Sequence, residues 1–289
     1  MTPSLACILL VHTEPAQVRR LVRALDPLPV FLHCDARTEA KIYEEMTEDL
    51  PERCVLLPRL PTPWARWPAV AVELSGYRAA LRTTDASHIA VMSGSDYPLV
   101  SVRRIGATLQ AFPKSSILKL HRFPFADWGR SGGLARLRYP HAAIGRQIVR
   151  FPIPRPLPKG ICFAGASAPK ILARHHAEQV LAASDARPDL IRFWRSSWCA
   201  DETFVASMLN TQTIVPDFPD HHVPEIAWFI NWDRSRQKSP PWLGVADFPR
   251  LCAAARGDDG RFPRLFARKF SEQRDARVLD LVDEFRAEH

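Results

Sequence analysis

Apolar positions along the first third of the chain switch between two periods. The run from Leu5 to Val11 is short and continuously apolar, and Cys7–His12 reads as a buried strand. In Gln17–Leu25, Val18, Leu21, Val22 and Leu25 recur at the spacing of one helical face. Val30–Cys34 reads as a second strand that closes on His33-Cys34-Asp35, and Thr38 is placed to cap a helix running through Glu48. Cys54–Leu57 is a candidate third strand, Val70–Leu81 a helix and His88–Ser93 a further strand. This alternation predicts a sheet covered by helices.

Beyond Ser93 the pattern loosens. Gly94 and Pro98 punctuate a predicted turn, followed by a helix over Ser101–Phe112 and a strand over Ser116–Leu120. His121–Gly160 reads as long and irregular, with prolines at 124, 140, 152, 154, 156 and 158. A loop of that length in a compact domain is usually functional. Ser167–Ala183 reads as a helix burying Ile171, Leu172, His175 and Val180, and Asp201–Leu209 as another. Asp217–Pro241 is mixed and polar, with Trp228 and Trp232. The tail Asp275–Phe285 is amphipathic, with Val278, Leu281, Val282 and Phe285 along one side.

Composition adds little until charge is located. The 289 residues are 46% hydrophobic and 24% charged, an ordinary globular balance. No run approaches the roughly 18–20 apolar residues of a membrane span, and the first apolar run lacks the flanks of a signal peptide. A cytoplasmic protein, with scope for peripheral membrane contact, is the expectation. Six scattered cysteines form no C-x-x-C pair and read as buried thiols. The net charge is +8, and His121–Lys159 carries eight Lys/Arg against one acid, Asp127. Acidic glycan, anionic lipid and nucleic acid all suit such a patch, and a solvated basic loop suits it equally.

Four motifs carry chemistry. His33-Cys34-Asp35 ends a strand, as Val11-His12 does, and ligands of open α/β sheets sit at such ends. Asp35 there can accept hydrogen bonds from a uracil or ribose, or simply cap a turn. Ser93-Gly94-Ser95-Asp96-Tyr97-Pro98-Leu99 offers one carboxylate where a hard cation wants several oxygen ligands, so no metal is expected. In Trp198-Cys199-Ala200-Asp201-Glu202-Thr203-Phe204 the adjacent acids point in different directions on a helix. One suits a general base; both suit a helix dipole. Arg268-Lys269 lies between apolar residues and can stabilise a diphosphate leaving group, or be neutralised by Glu272 or Asp275. His175-His176 and His221-His222 are read as structural, because neighbouring residues are not expected to converge as ligands.

Taken in order, these motifs resemble the core-2/I-branching enzyme family of branching N-acetylglucosaminyltransferases and peptide xylosyltransferases. The matching pieces are His33-Cys34-Asp35-Ala36-Arg37, Arg66-Trp67, Ser93 to Leu99, Asp201-Glu202-Thr203-Phe204 and Phe266-Ala267-Arg268-Lys269-Phe270. The resemblance implies one α/β domain over 1–289 with a GT-A-like nucleotide-sugar transferase fold, a central mostly parallel sheet flanked by helices. Its nucleotide-binding half would span about 1–120, its acceptor-side segment 121–160 and its catalytic half 161–289. It implies inverting, metal-independent transfer of N-acetylglucosamine or xylose from a UDP-sugar, with no cofactor. By position Glu202 is the implied general base, and Val11, His12 and Asp35 hold the nucleoside. Lys269 is the implied diphosphate cation, beside Arg268. A second is expected at Lys238, with Arg234 and Arg236 in competition. Trp67, Ser95, Asp96 and Asp201 are further candidates for the substrate site.

The chain departs from the family at two places. Gly160–Gly165 stands where the xylosyltransferases usually carry a tryptophan, and Pro68-Ala69-Val70 replaces the usual Gly-Gly-Ser. The resemblance implies a UDP-sugar as partner, and the basic His121–Lys159 segment suggests a glycan acceptor of anionic character. Nucleic acid is not expected, although Phe123, Phe125, Trp128 and Tyr139 interleave with the basic residues. The rival reading is a non-catalytic binder of acidic glycan or nucleic acid on the same scaffold.

Overall fold

The computed structural model describes residues 4–144, 147–232, 239–258, 260 and 262–288. Its first half runs β1 (Leu5–Val11), α1 (Pro15–Ala24), β2 (Val30–Cys34), α2 (Ala40–Thr47), β3 (Cys54–Leu56), α3 (Trp67–Thr83), β4 (His88–Ser93), β5 (Asp96–Pro98) and α4 (Val102–Gln110). Then come β6 (Ser116–Ile117), β7 (Leu120–Arg122), α5 (Ala135–Arg138), β8 (His141–Ile144), β9 (Gln147–Arg150), β10 (Ala164–Ala166) and β11 (Lys170–Ala173). The remainder is α6 (Arg174–Ala186), α7 (Pro188–Trp194), α8 (Ala200–Asn210), β12 (His222–Val223), β13 (Trp228–Ile230), α9 (Phe248–Arg256), β14 (Phe266–Arg268) and α10 (Ala276–Glu288).

Seven strands form the main sheet in the order β12-β6-β11-β4-β1-β2-β3. Within it β11 alone runs antiparallel to its neighbours β4 and β6, giving a mostly parallel sheet flanked by helices. Strand alternation sends Leu5, Cys7, Leu9 and Val11 to one face and Ala6 and Ile8 to the other. The first set packs with α1, α4 and α10, the second with α3, α6 and α8. Burial on both faces explains why β1 is continuously apolar.

Several sequence expectations shift. Lys170–Ala173 is a strand, where a helix from Ser167 was expected; a four-residue apolar run next to a helix carries no period of its own. Asp96–Pro98, expected as part of a turn, pairs with β14, and Pro98 is tolerated because β5 is an edge strand. Thr38 caps no helix: its Oγ1 donates to the His12 carbonyl at 3.0 Å, and α2 starts at Ala40. On α10, Leu279 is buried and Leu281 and Phe285 are half-buried.

The described residues of the basic segment, 121–144 and 147–160, include the end of β7 with α5, β8 and β9, where irregular chain was expected. Arg155 holds it together: its guanidinium donates to Leu137 O, Phe193 O, Ser196 Oγ and Ser197 Oγ at 2.6–2.9 Å and stacks on Phe193. Burial pushes the Arg155 pKa down to about 10. Gly165 is needed where Trp128 lies against it, since a Cβ there would stand 2.3 Å from the ring. These contacts come from residues distant in sequence, which local pattern cannot show.

Beneath the sheet's second face, Lys170 and Glu73 form a buried ion pair at 3.0 Å, and Tyr77 Oη donates to Glu73 at 2.6 Å. Removing one partner of such a pair strands a charge. Glu73→Gln is therefore expected to lower unfolding free energy by about 3–5 kcal/mol, read by urea titration. The Glu73→Leu/Lys170→Met double variant should cost less; equal or greater loss would count against a stranded charge.

Candidate active site

Parallel pairing places the carboxyl ends of the central strands at one edge. Val11 stands opposite Cys34, and Leu10 opposite Ser93. The chain continues that register briefly: Asp35 N donates to Val11 O at 2.9 Å and Gly94 N to Leu10 O at 3.2 Å. Val11, His12, Asp35 and Ser93–Asp96 thus share one edge. The sharp turn at Gly94 is close to β1 and α1, where a Cβ would approach Val18 and Val11 at 3.1 and 3.2 Å.

His12 is exposed at this edge and Val11 is buried. Asp35 is buried and well supplied with donors: Arg37 N at 2.8 Å, Arg37 Nη2 at 2.6 Å and Thr62 Oγ1 at 2.9 Å. Burial alone would raise its pKa, but Arg37 and Thr62 more than offset this and hold it well below the carboxylate range. Asp35 therefore also ties Arg37 to Thr62 at the strand end.

Asp96 is fully buried and accepts from Ser93 N at 2.9 Å and Ser93 Oγ at 3.0 Å. Arg268 Nε lies 3.4 Å from its Oδ1. Burial raises the Asp96 pKa, and Arg268 opposes that rise. The next residue, Lys269, is half-buried; its Nζ donates to Ser239 Oγ at 2.9 Å and sits 4.4 Å over the Trp242 ring. Burial, then Arg268 and Arg274, lower its pKa. Ser95 joins the same junction, its hydroxyl 3.1 Å from Ser93 Oγ and its carbonyl accepting from Phe270 N at 2.8 Å. Among the sequence candidates, Lys238, Arg234 and Arg236 lie outside the described residues.

The acidic pair opens α8. Trp67, the first residue of α3 and therefore at the same sheet edge, is buried edge-on against Phe204 at 5.2 Å. That contact sets α8 against the start of α3. Glu202 is one-third exposed, and its Oε2 takes Arg136 Nη1 at 2.5 Å. Arg136, which sequence reasoning missed, also lies 4.1 Å over the Trp128 ring. Asp201 keeps part of its surface at the solvent boundary, but its Oδ1 is fully shielded and has no protein hydrogen-bond partner. Burial, then the charge of Glu202, pushes its pKa up to about 6 against the pull of Lys170.

The structure corrects the reading of the paired histidines. His175 and His176 do converge, on Asp217 of a distant loop, with Nε2 to Oδ2 distances of 2.9 and 3.8 Å. Both lie in the first turn of α6, where adjacent rings can turn toward one loop; their centroids are 4.0 Å apart. No spacing signal announces a partner some forty residues away.

A model of the Core-2/I-Branching enzyme family matches residues 8–250. No curated protein matches the chain. Among solved structures, one assigned as a glucose-1-phosphate thymidylyltransferase from Bacillus anthracis, in complex with sucrose, is 9% identical. It covers 61% of this chain and 74% of its own, with a TM-score of 0.31. HddC from Yersinia pseudotuberculosis is 11% identical over 60% of this chain and 79% of its own, with a TM-score of 0.30.

Asp201 gives a pH prediction. Its folded pKa is raised above the unfolded value, so protonation favours the folded state. That contribution is complete below about pH 4 and is lost as pH rises through about 6. Asp201→Asn is therefore expected to raise Tm at pH 7.5, with the gain shrinking toward pH 4.5. A gain independent of pH would rule out relief of a buried charge.

Proposed function

We propose a reaction for a chain that belongs to the Core-2/I-Branching enzyme family, and is therefore a glycosyltransferase working between a nucleotide-sugar donor and a glycan acceptor. The donor is a UDP-sugar, UDP-N-acetylglucosamine or UDP-xylose, and transfer inverts the anomeric carbon without a catalytic metal. One observation carries this reading: an Arg136-held Glu202 shares the sheet edge with strand ends suited to a nucleoside and with Lys269.

In this mechanism the Val11-His12 edge and Asp35 bound the nucleoside. Lys269, with Arg268 beside it and a second cation from Lys238, Arg234 or Arg236, takes the diphosphate. Glu202 accepts the proton of the acceptor hydroxyl as that oxygen attacks the anomeric carbon. The bond from that carbon to the diphosphate oxygen breaks on the opposite side, and UDP leaves with the electron pair. Lys269 offsets the charge that grows there, the task a metal performs elsewhere. Arg136 fixes the Glu202 rotamer.

The acceptor is anionic and lies near a lipid surface in this reading. Arg122, Arg130, Arg138, Arg150 and Lys159 are exposed, and so are Ile148, Phe151 and Ile153. Cations beside exposed apolar side chains suit an anionic interface. Arg136 and Arg155 are committed to internal contacts and contribute little to that patch. The Phe151→Ser/Ile153→Ser variant should lose binding to phosphatidylglycerol vesicles; binding equal to the parent's at low salt would sink the membrane contact.

The direct test is thermal stability with UDP and UDP-sugars in the presence of chelator. Stabilisation by UDP and one UDP-sugar, lost in Lys269→Ala, is the expected outcome. Glu202→Gln should keep that stabilisation and lose transfer by about 100- to 10,000-fold. No response to any UDP compound, with or without divalent metal, would favour a non-catalytic glycan-binding protein.

A further inference from the structure

The convergence of His175, His176 and Asp217 lies at the other edge of the sheet. Because β11 is antiparallel to β4, its last residue Ala173 stands opposite His88, the first residue of β4. Helix α6 therefore begins at the amino edge, away from Glu202. Asp217 belongs to the loop leading into β12, the edge strand that pairs with β6.

The donor atoms already have the separations of a metal site. Zinc bonds of about 2.0–2.2 Å put tetrahedral donors roughly 3.3 Å apart. The distances from Asp217 Oδ2 to His175 Nε2 and His176 Nε2, 2.9 and 3.8 Å, bracket that value. All three donor atoms lie within 4.8 Å of one another, the one such group among the described residues.

Two further observations point to a ligand. His176 is fully buried, yet its Nε2, aimed at this point, has no hydrogen-bond partner. The flanking atoms are also held as ligands of a metal usually are. His176 Nδ1 is 2.7 Å from Ser116 Oγ, and Gln179 Nε2 donates to Asp217 Oδ1 at 3.2 Å, leaving Oδ2 toward the histidines. His221 stands close by, its ring centroid 6.1 Å from that of His175. Four of the ten histidines, His175, His176, His221 and His222, gather here, although His222 Nε2 is engaged with Leu118 O at 2.8 Å.

We propose that His175, His176 and Asp217 bind a first-row divalent cation, zinc by ligand preference, with His221 or water as the fourth donor. The ion clamps the start of α6 to the loop before β12. It is remote from Glu202, and the proposal stands apart from the transferase reaction, which needs no metal.

The test uses full-length protein stripped with chelator and dialysed. Zinc sulfate alone is titrated by calorimetry, and Co2+ is added in parallel for its visible spectrum. One equivalent should bind, Co2+ should give the intense bands of a tetrahedral site, and saturation at 100 times Kd should raise Tm by roughly 4–5 °C. His175→Ala and Asp217→Asn, both at half-exposed positions, should each weaken binding by at least roughly tenfold and abolish the Co2+ bands. Absence of saturable binding would overturn the proposal. So would binding that survives unchanged in both variants, with folding confirmed by circular dichroism.

Discussion

The carboxyl edge of the sheet is organised around one buried acid. Asp96 has no exposed surface, and a carboxylate taken from water is tolerable only with strong partners. Ser93 supplies two donors from the turn at the end of β4, and Arg268 supplies the countercharge from a strand far along the chain. Meeting that requirement lays β14 against β5, and β13 against β14. Lys269 then has to emerge at the carboxyl edge of the main sheet. The position of a cation in the proposed diphosphate site is thus a consequence of electrostatics inside the protein. Tyr97, next to Asp96, carries the same logic outward: its hydroxyl donates to Asp283 at 2.9 Å, and Asp283 with Asp280 holds Arg20 of α1.

The other wall is set by arginines of the basic segment. Arg155 supplies donors to carbonyls and hydroxyls of the α7–α8 connection, and Arg136 supplies one to Glu202. The planar guanidinium fork suits both tasks in a way an ammonium does not. A segment that looks from its charge like an outward patch is therefore in part an inward brace, while Arg122, Arg130, Arg138, Arg150 and Lys159 face solvent.

Where a strand or helix satisfied its needs locally, the sequence showed it. Val30–Cys34 and His88–Ser93 are strands with the expected bounds, and the Val18, Leu21, Val22 and Leu25 face of α1 is buried. The motif residues at strand ends, Asp35 and Asp96, were legible as special for the same reason: polar groups closing apolar runs. What was not legible needed a distant partner. Lys170–Ala173 is a strand because β4 and β6 flank it, and the stretch around Arg155 is tied down by that residue's reach to α7. Arg136 carried no local mark, since its partner Glu202 is 66 residues away.

Some buried polar groups in this chain are fully answered and others are not. Lys170, Glu73 and Tyr77 are deep in the protein and answer one another fully. Such a closed network fixes packing and offers nothing to a ligand. Asp201 lies within electrostatic reach of that network, yet its Oδ1 is shielded from water without a partner. His176 Nε2, at the far edge, is in the same condition. A shielded polar atom left unpaired costs about 1–3 kcal/mol, a cost that binding something can recover. Two of the places among the described residues that carry such a cost are an acid at the proposed transfer site and an imidazole beside Asp217 at the opposite edge of the sheet. Their chemistry differs in the same way: one suits hydroxyl groups and protons, the other a cation.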